Sequence, residues 1–81
     1  MTTMERVARV FSKAFAVPIE SVKPTTIPDD LPKWDSIGHM TMIAALEKEF
    51  DQHFEVDEIM EMGTVQAILD TIGKKNTQDS P

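Results

Sequence analysis

The sequence predicts an all-α fold, a four-helix bundle with a long first loop and a short third helix. Apolar residues recur at helical spacing in four segments, and three of those segments open on a good capping residue. Prolines at 18, 24, 28 and 32 crowd a single stretch, which excludes a long helix there. Hydrophobic residues make up 41% of the chain but aromatics only 6%, too few for the aromatic and β-branched density of a small sheet protein.

Thr2 with Glu5 forms a capping box, and Met4, Val7, Ala8, Val10, Phe11, Ala14 and Phe15 then mark a helix running to about Ala16. Pro18 closes it, and a brief helical turn can follow. The loop up to Trp34 is not a polar linker: Ile19, Val22, Ile27, Leu31 and Trp34 punctuate it with groups expected to pack onto the bundle. Asp35 and Ser36 are both N-cap residues for a second helix extending to Phe50. At about 100° per residue, Met40, Ile43, Leu46 and Phe50 share one face, the expected core, and Ile37, Thr41, Ala44 and Lys48 form an outward strip. Asp51 to Glu55 connect to a short third helix, Val56 to Met62, with Ile59 and Met62 inward. Gly63 breaks it, Thr64 caps a fourth helix that turns Val65, Ile68, Leu69 and Ile72 inward, and Gly73 is expected to end that helix. Residues 1–73 thus read as one domain and 74–81 as a polar, disordered tail.

With 81 residues the chain can bury one modest core, so a deep enclosed active site is not expected. It contains no cysteine, hence no thiol nucleophile, disulfide or thiolate ligand of its own. No apolar run is long enough to span a bilayer, and the first fifteen residues lack a signal-peptide pattern, so the protein is expected to be soluble and cytoplasmic. The net charge of −6 is regional. Residues 29–61 hold ten acids and two bases, whereas residues 1–28 hold two acids and four bases. An acidic region of this kind repels nucleic acid and suits proteins with basic docking surfaces; the plainer reading is a solvated face that keeps the chain soluble. His53 stands alone, and Asp29-Asp30 and Asp57-Glu58 lack the spacing of a calcium loop, so no metal site is expected.

The informative segment is Trp34-Asp35-Ser36-Ile37-Gly38-His39-Met40, where the loop meets the second helix. A phosphate ester on Ser36 would sit among unpaired backbone N–H groups at the positive end of the helix dipole. The alternative is that Ser36 only caps. His39, one turn on, does not make a hydrolase triad with Ser36: a nucleophile elbow needs glycine two residues before the serine, where this chain has Trp34. A surface or interhelix role suits His39 better. Gly38 costs on the order of 1 kcal/mol relative to Ala inside a helix; one use for it is close approach by an attached arm or a partner. Met40, Met42, Met60 and Met62 fall in helices two and three, where they either fill core or line an adaptable pocket.

Asp35-Ser36-Ile37 resembles the Asp-Ser-Leu motif of the acyl carrier protein family. Ala45-Leu46-Glu47-Lys48-Glu49-Phe50 is similar to that family's Ala-Leu-Glu-Glu-Glu-Phe segment, and Thr64-Val65-Gln66-Ala67-Ile68-Leu69-Asp70-Thr71-Ile72 to its fourth helix. The three blocks follow the family order without gaps from Asp35 to Ile72.

The resemblance implies a carrier, not an enzyme. Ser36 would bear a covalent 4′-phosphopantetheine taken from coenzyme A by a phosphopantetheinyl transferase, and other enzymes would load and unload acyl thioesters on it. It also implies that Asp35, Glu47, Asp57, Glu58 and Glu61 meet basic patches on those partners, with Ile37, Thr41 and Ala44 bordering the arm. The chain departs from fatty-acid synthesis carriers by placing Gly38, His39 and Thr41, rather than acids, just after the serine, and Lys48 among the glutamates. Its Trp-Asp-Ser-Ile-Gly-His string is similar to stand-alone carriers of specialised bacterial pathways. The rivals are an aminoacyl or peptidyl carrier of nonribosomal synthesis and an inert acidic adaptor. With no conspicuous apolar patch left over once the core is assigned, the expected state is a monomer.

Overall fold

The computed structural model describes residues 2–78, with side chains through residue 74. Its elements are α1 (Thr3–Phe15), α2 (Ser36–Phe50), α3 (Val56–Glu61) and α4 (Val65–Gln78), with two short 3₁₀ turns, Ile19–Ser21 and Pro28–Asp30, in the loop after α1. No strand occurs among the described residues, and none of the helices is long and apolar enough to cross a membrane.

The expected capping box opens α1. The Glu5 N–H donates to Thr2 Oγ1 and the Thr2 N–H donates to Glu5 Oε1, each at 3.1 Å. These bonds favour the ionised carboxylate, so Glu5 titrates below its ordinary value of 4.5, the Thr2 N–H being the larger cause and the Thr2 hydroxyl the next. One side of α1 is then buried through Val7, Ala8, Val10, Phe11 and Phe15, packed chiefly along α2. Ala16 ends the helix in the left-handed region, two residues before Pro18. On its flank, Arg6 ties α1 to the last turn of α2. Its Nε donates to Glu49 Oε2 at 2.8 Å, an Nη donates to the Glu49 carbonyl at 2.6 Å, and the guanidinium lies 4.3 Å from the centre of the Phe50 ring.

Val22, Leu31 and Trp34 anchor the long loop in the core, whereas Ile19 and Ile27 remain exposed, contrary to the sequence expectation. Ile19 opens one 3₁₀ turn and Ile27 immediately precedes the other, and there satisfying the backbone sets the side-chain direction: the Val22 N–H donates to the Ile19 carbonyl, and the Asp30 N–H to the Ile27 carbonyl. A polar residue does the remaining anchoring. Thr26 is buried, its hydroxyl accepts from the Lys23 N–H at 2.9 Å, and its carbonyl accepts from the Val65 N–H at 3.2 Å, which fastens the loop to the start of α4.

The core face of α2 is rotated from the one the apolar spacing suggested. Met42, Ile43 and Leu46 are buried and Phe50 is partly buried, but Met40 is exposed. Two residues apart, Met40 and Met42 point about 160° away from each other, so only one can face inward. His39 occupies the inner side of the first turns instead, half-buried against Trp34 and α3. The loop after α2 turns at Asp51, which is left-handed, and leads to α3. Met62, immediately after α3, is fully buried, and Ile59 is half-buried. Thr64 caps α4 by accepting from the Ala67 N–H at 3.1 Å, and Val65, Ile68 and Ile72 complete the core.

The fourth helix does not stop at Gly73. It continues to Gln78, because no described glycine takes the positive φ of a terminating residue and an interior glycine costs only about 1 kcal/mol. Helix α4 thus takes in residues 74–78, and the rest of the polar segment, 79–81, lies outside the described residues.

Candidate functional site

Asp35 and Ser36 divide two tasks at the start of α2. Asp35 is the N-cap: its carboxylate accepts from the Gly38 N–H at 2.8 Å, and its carbonyl accepts from the His39 N–H at 2.7 Å. Ser36 is the first helical residue, exposed. The N–H groups of Ser36 and Ile37 have no acceptor within the helix, and the dipole adds positive potential where the Ser36 hydroxyl stands. Capping is thus supplied by Asp35, which removes the reading in which Ser36 matters only as a cap.

Ser36 borders an open groove of about 600 Å³ between the long loop, α2 and α3. Trp34, Ser36, His39, Met40, Ile59 and Met60 contribute to its walls, which are mostly apolar. The four candidate methionines separate by this geometry. Met42 and Met62 are core, fully buried, while Met40 and Met60 are exposed at the groove.

His39 is not placed to serve Ser36 as a base. The Trp34 indole N–H donates to His39 Nδ1 at 2.9 Å, and His39 Nε2 lies 3.0 Å from the Ile59 carbonyl oxygen, so both ring nitrogens are engaged elsewhere. An isolated serine hydroxyl is a weak nucleophile and needs an activating partner. Gly38 also has an internal explanation. A Cβ placed there would fall onto the Lys33 carbonyl oxygen and come within 3.0 Å of the Phe15 ring, so the close approach made at Gly38 is by the chain's own loop.

Of the other residues singled out by sequence, Ile37, Thr41 and Ala44 are exposed along one side of α2 with Lys48, as their spacing required. The Thr41 hydroxyl donates back to the Ile37 carbonyl at 3.1 Å. Asp57 and Glu61 are exposed on α3. Glu47 and Glu58 are half-buried and shared with the local backbone: Glu47 accepts from the Phe54 N–H at 2.9 Å and lies 3.3 Å from His53 Nδ1, and Glu58 accepts from the Glu55 N–H at 2.8 Å.

An apolar patch does remain on the surface, contrary to expectation. Ile37 is 81% exposed, Met60 78%, Val56 70% and Met40 54%, all on α2 or α3. Met60 was a candidate for core or pocket, but Val56 and the outward face it shares with Met60 escaped the sequence reading because a six-residue helix offers under two turns from which to judge a face. Their signal was the apolar pair at i and i+4.

The family model for the phosphopantetheine attachment site matches residues 5–72, which takes in most of α1, the long loop, the Asp35-Ser36 junction with all of α2, α3 and more than half of α4. Domains of this kind carry a covalent 4′-phosphopantetheine and are carriers, not catalysts. By that match and by its helical architecture, the chain belongs to the phosphopantetheine-binding acyl carrier family.

Proposed function

We propose that Ser36 is the attachment residue and that the protein presents acyl groups, held as thioesters, to partner enzymes of a specialised biosynthetic pathway. The observation that carries this reading is the position of Ser36: an exposed hydroxyl, freed from capping by Asp35, at the start of α2 and on the rim of an apolar groove. The residues present fit the group. The unpaired N–H groups of Ser36 and Ile37 and the helix dipole favour a phosphodiester there, and the exposed Ile37, Met40 and Met60 offer apolar surface beside it.

Attachment requires an external enzyme. With a transferase supplying the base, the Ser36 hydroxyl loses its proton as its oxygen bonds to the pantetheine-side phosphorus of coenzyme A; the bond to the nucleotide-side phosphate breaks, and adenosine 3′,5′-bisphosphate leaves. When bound, the arm supplies the thiol that this cysteine-free chain lacks. The exposed acids Asp35, Asp57 and Glu61 with Ile37, Thr41 and Ala44 form the partner surface, and Glu47 and Glu58 add negative potential behind it. The departures from fatty-acid carriers support a specialised pathway: Gly38 and His39 are committed to internal packing and bonding, so the turn after Ser36 presents little charge of its own.

Intact mass spectrometry after incubation with coenzyme A and a transferase tests the assignment. The expected result is one phosphopantetheinyl group on the wild type and none on Ser36→Ala. An unchanged wild-type mass with several competent transferases, or modification that persists in Ser36→Ala, would overturn it.

A further inference from the structure

The groove beside Ser36 has one wall joined to the other by a side chain that no carrier chemistry requires. Trp34 belongs to the loop, His39 to α2 and Ile59 to α3, and two hydrogen bonds of 2.9 and 3.0 Å run through the imidazole to connect all three. An indole N–H can only donate. Nδ1 of His39 must therefore accept, the proton of the neutral ring sits on Nε2, and Nε2 donates to the Ile59 carbonyl. Ring packing supports this arrangement. The His39 and Trp34 planes lie 13° apart with centroids at 6.2 Å, and Trp34 is in turn packed edge-on to Phe11 at 4.9 Å in the buried core.

The element at the far end needs such a tie. With six residues, α3 is too short to persist by itself, and it exposes Val56 and Met60. Its packing is chiefly on α4. Ile59 lies in its last turn, where its carbonyl accepts at 3.2 Å from a Met62 N–H that is shared with the Glu58 carbonyl, and the histidine supplies this carbonyl with a second donor from outside the helix.

We propose that His39 is a positioning residue, a clasp set in the Nε2–H tautomer by Trp34 that holds α3 to the beginning of α2 and fixes the groove next to Ser36. Its consequence for an attached arm rests on the carrier reading of Ser36; the clasp itself does not. Because Met40 neighbours His39 and Met60 neighbours Ile59, releasing the clasp moves the two methionines on the groove relative to each other.

The test uses the unmodified protein. Long-range ¹⁵N–¹H correlation of the imidazole, taken where the ring is neutral, should show the Nε2–H tautomer in the wild type and a mixture in Trp34→Phe, which keeps an aromatic ring but removes the donor. Two substitutions then separate the two bonds. His39→Gln keeps a donor at the reach of Ile59, whereas His39→Asn keeps an acceptor for Trp34 but is too short to reach α3. Amide hydrogen exchange at Ile59, Met60 and Met62 should accelerate roughly fivefold in His39→Asn, the effect of losing one net hydrogen bond, and stay near wild type in His39→Gln, with α1 and α4 unchanged in both. A wild-type Nδ1–H tautomer would overturn the proposal, as would equal acceleration in all helices or in both variants. If neither variant folds, the tautomer comparison with Trp34→Phe decides: identical spectra defeat the clasp. Failure of the wild type to accept phosphopantetheine would defeat the carrier reading alone, leaving the tautomer and exchange results to judge the clasp.

Discussion

Gly38 and the carbonyl of Lys33 are in contact so close that no side chain fits between them. The loop crosses the first turn of α2 at this point, and the Phe15 ring also lies within 3.0 Å of where a Cβ would stand. Backbone cannot retreat as the tip of a flexible side chain can, so the absence of a Cβ at residue 38 is what lets the loop lie down beside Ser36.

Gly38→Ala should therefore destabilise the protein, although alanine is the better helix former by about 1 kcal/mol. Overpacking of a tight contact costs about 1–3 kcal/mol, and here it involves backbone, so the net loss is expected toward the upper end of that range. Urea unfolding checks it. A gain in stability would mean that the loop can shift freely at Lys33.

Asp35 combines a cap and a charge, and substitution separates them. Asp35→Asn keeps an oxygen for the Gly38 N–H and should leave stability within about 0.5 kcal/mol, whereas Asp35→Ala loses the cap and should cost about 1 kcal/mol. Both remove a negative charge next to Ser36. Transferase kcat/KM should fall for both variants, mainly through KM, and its dependence on salt should weaken. Thermal unfolding and modification kinetics at two ionic strengths provide the comparison.

Met40 and Met42 should differ sharply despite lying two residues apart. Met42 is fully buried, so Met42→Ala opens a cavity and is expected to cost about 2–5 kcal/mol. Met40→Ala at the groove should change stability by less than about 1 kcal/mol. Equal losses in chemical denaturation would show that α2 is rotated toward the face suggested by its apolar spacing.

The capping box of α1 confers a pH dependence of known sign. Folding lowers the pKa of Glu5 below 4.5, so its ionised form binds the native state more favourably than the unfolded one. The resulting stabilisation is complete above the unfolded-state pKa and is lost as pH falls through the lower folded-state value. Relative to Glu5→Gln, the wild type should thus hold a stability advantage near neutrality that shrinks below pH 4.5. Unfolding curves between neutral pH and acid, alongside an NMR titration of Glu5, would show it; an advantage that grows on acidification contradicts the assignment.

Local signals were legible wherever a residue's own neighbours in sequence decide its role. The Thr2–Glu5 box, the proline stop at residue 18, the start of α2 at Asp35-Ser36 and the Thr64 cap all depend on groups within four residues, and all appear in the structure. The outward strip of Ile37, Thr41, Ala44 and Lys48 follows from helical geometry alone.

Tertiary contacts decided the rest. The inward side of α2 depends on the bond between Trp34 and His39, which lets a polar ring take an inner position and turns Met40 out; hydrophobic spacing carries no record of a polar residue that finds its partners in other elements. The role of Gly38 likewise depends on where Lys33 passes, and the end of α4 on a backbone angle that Gly73 is free to refuse. The sequence by itself determined the helices, the serine at their key junction and the family, because capping, periodicity and motif order act over short distances. Only the folded chain determined which faces meet and which groups border Ser36, because those outcomes belong to pairs of residues brought together from separate elements.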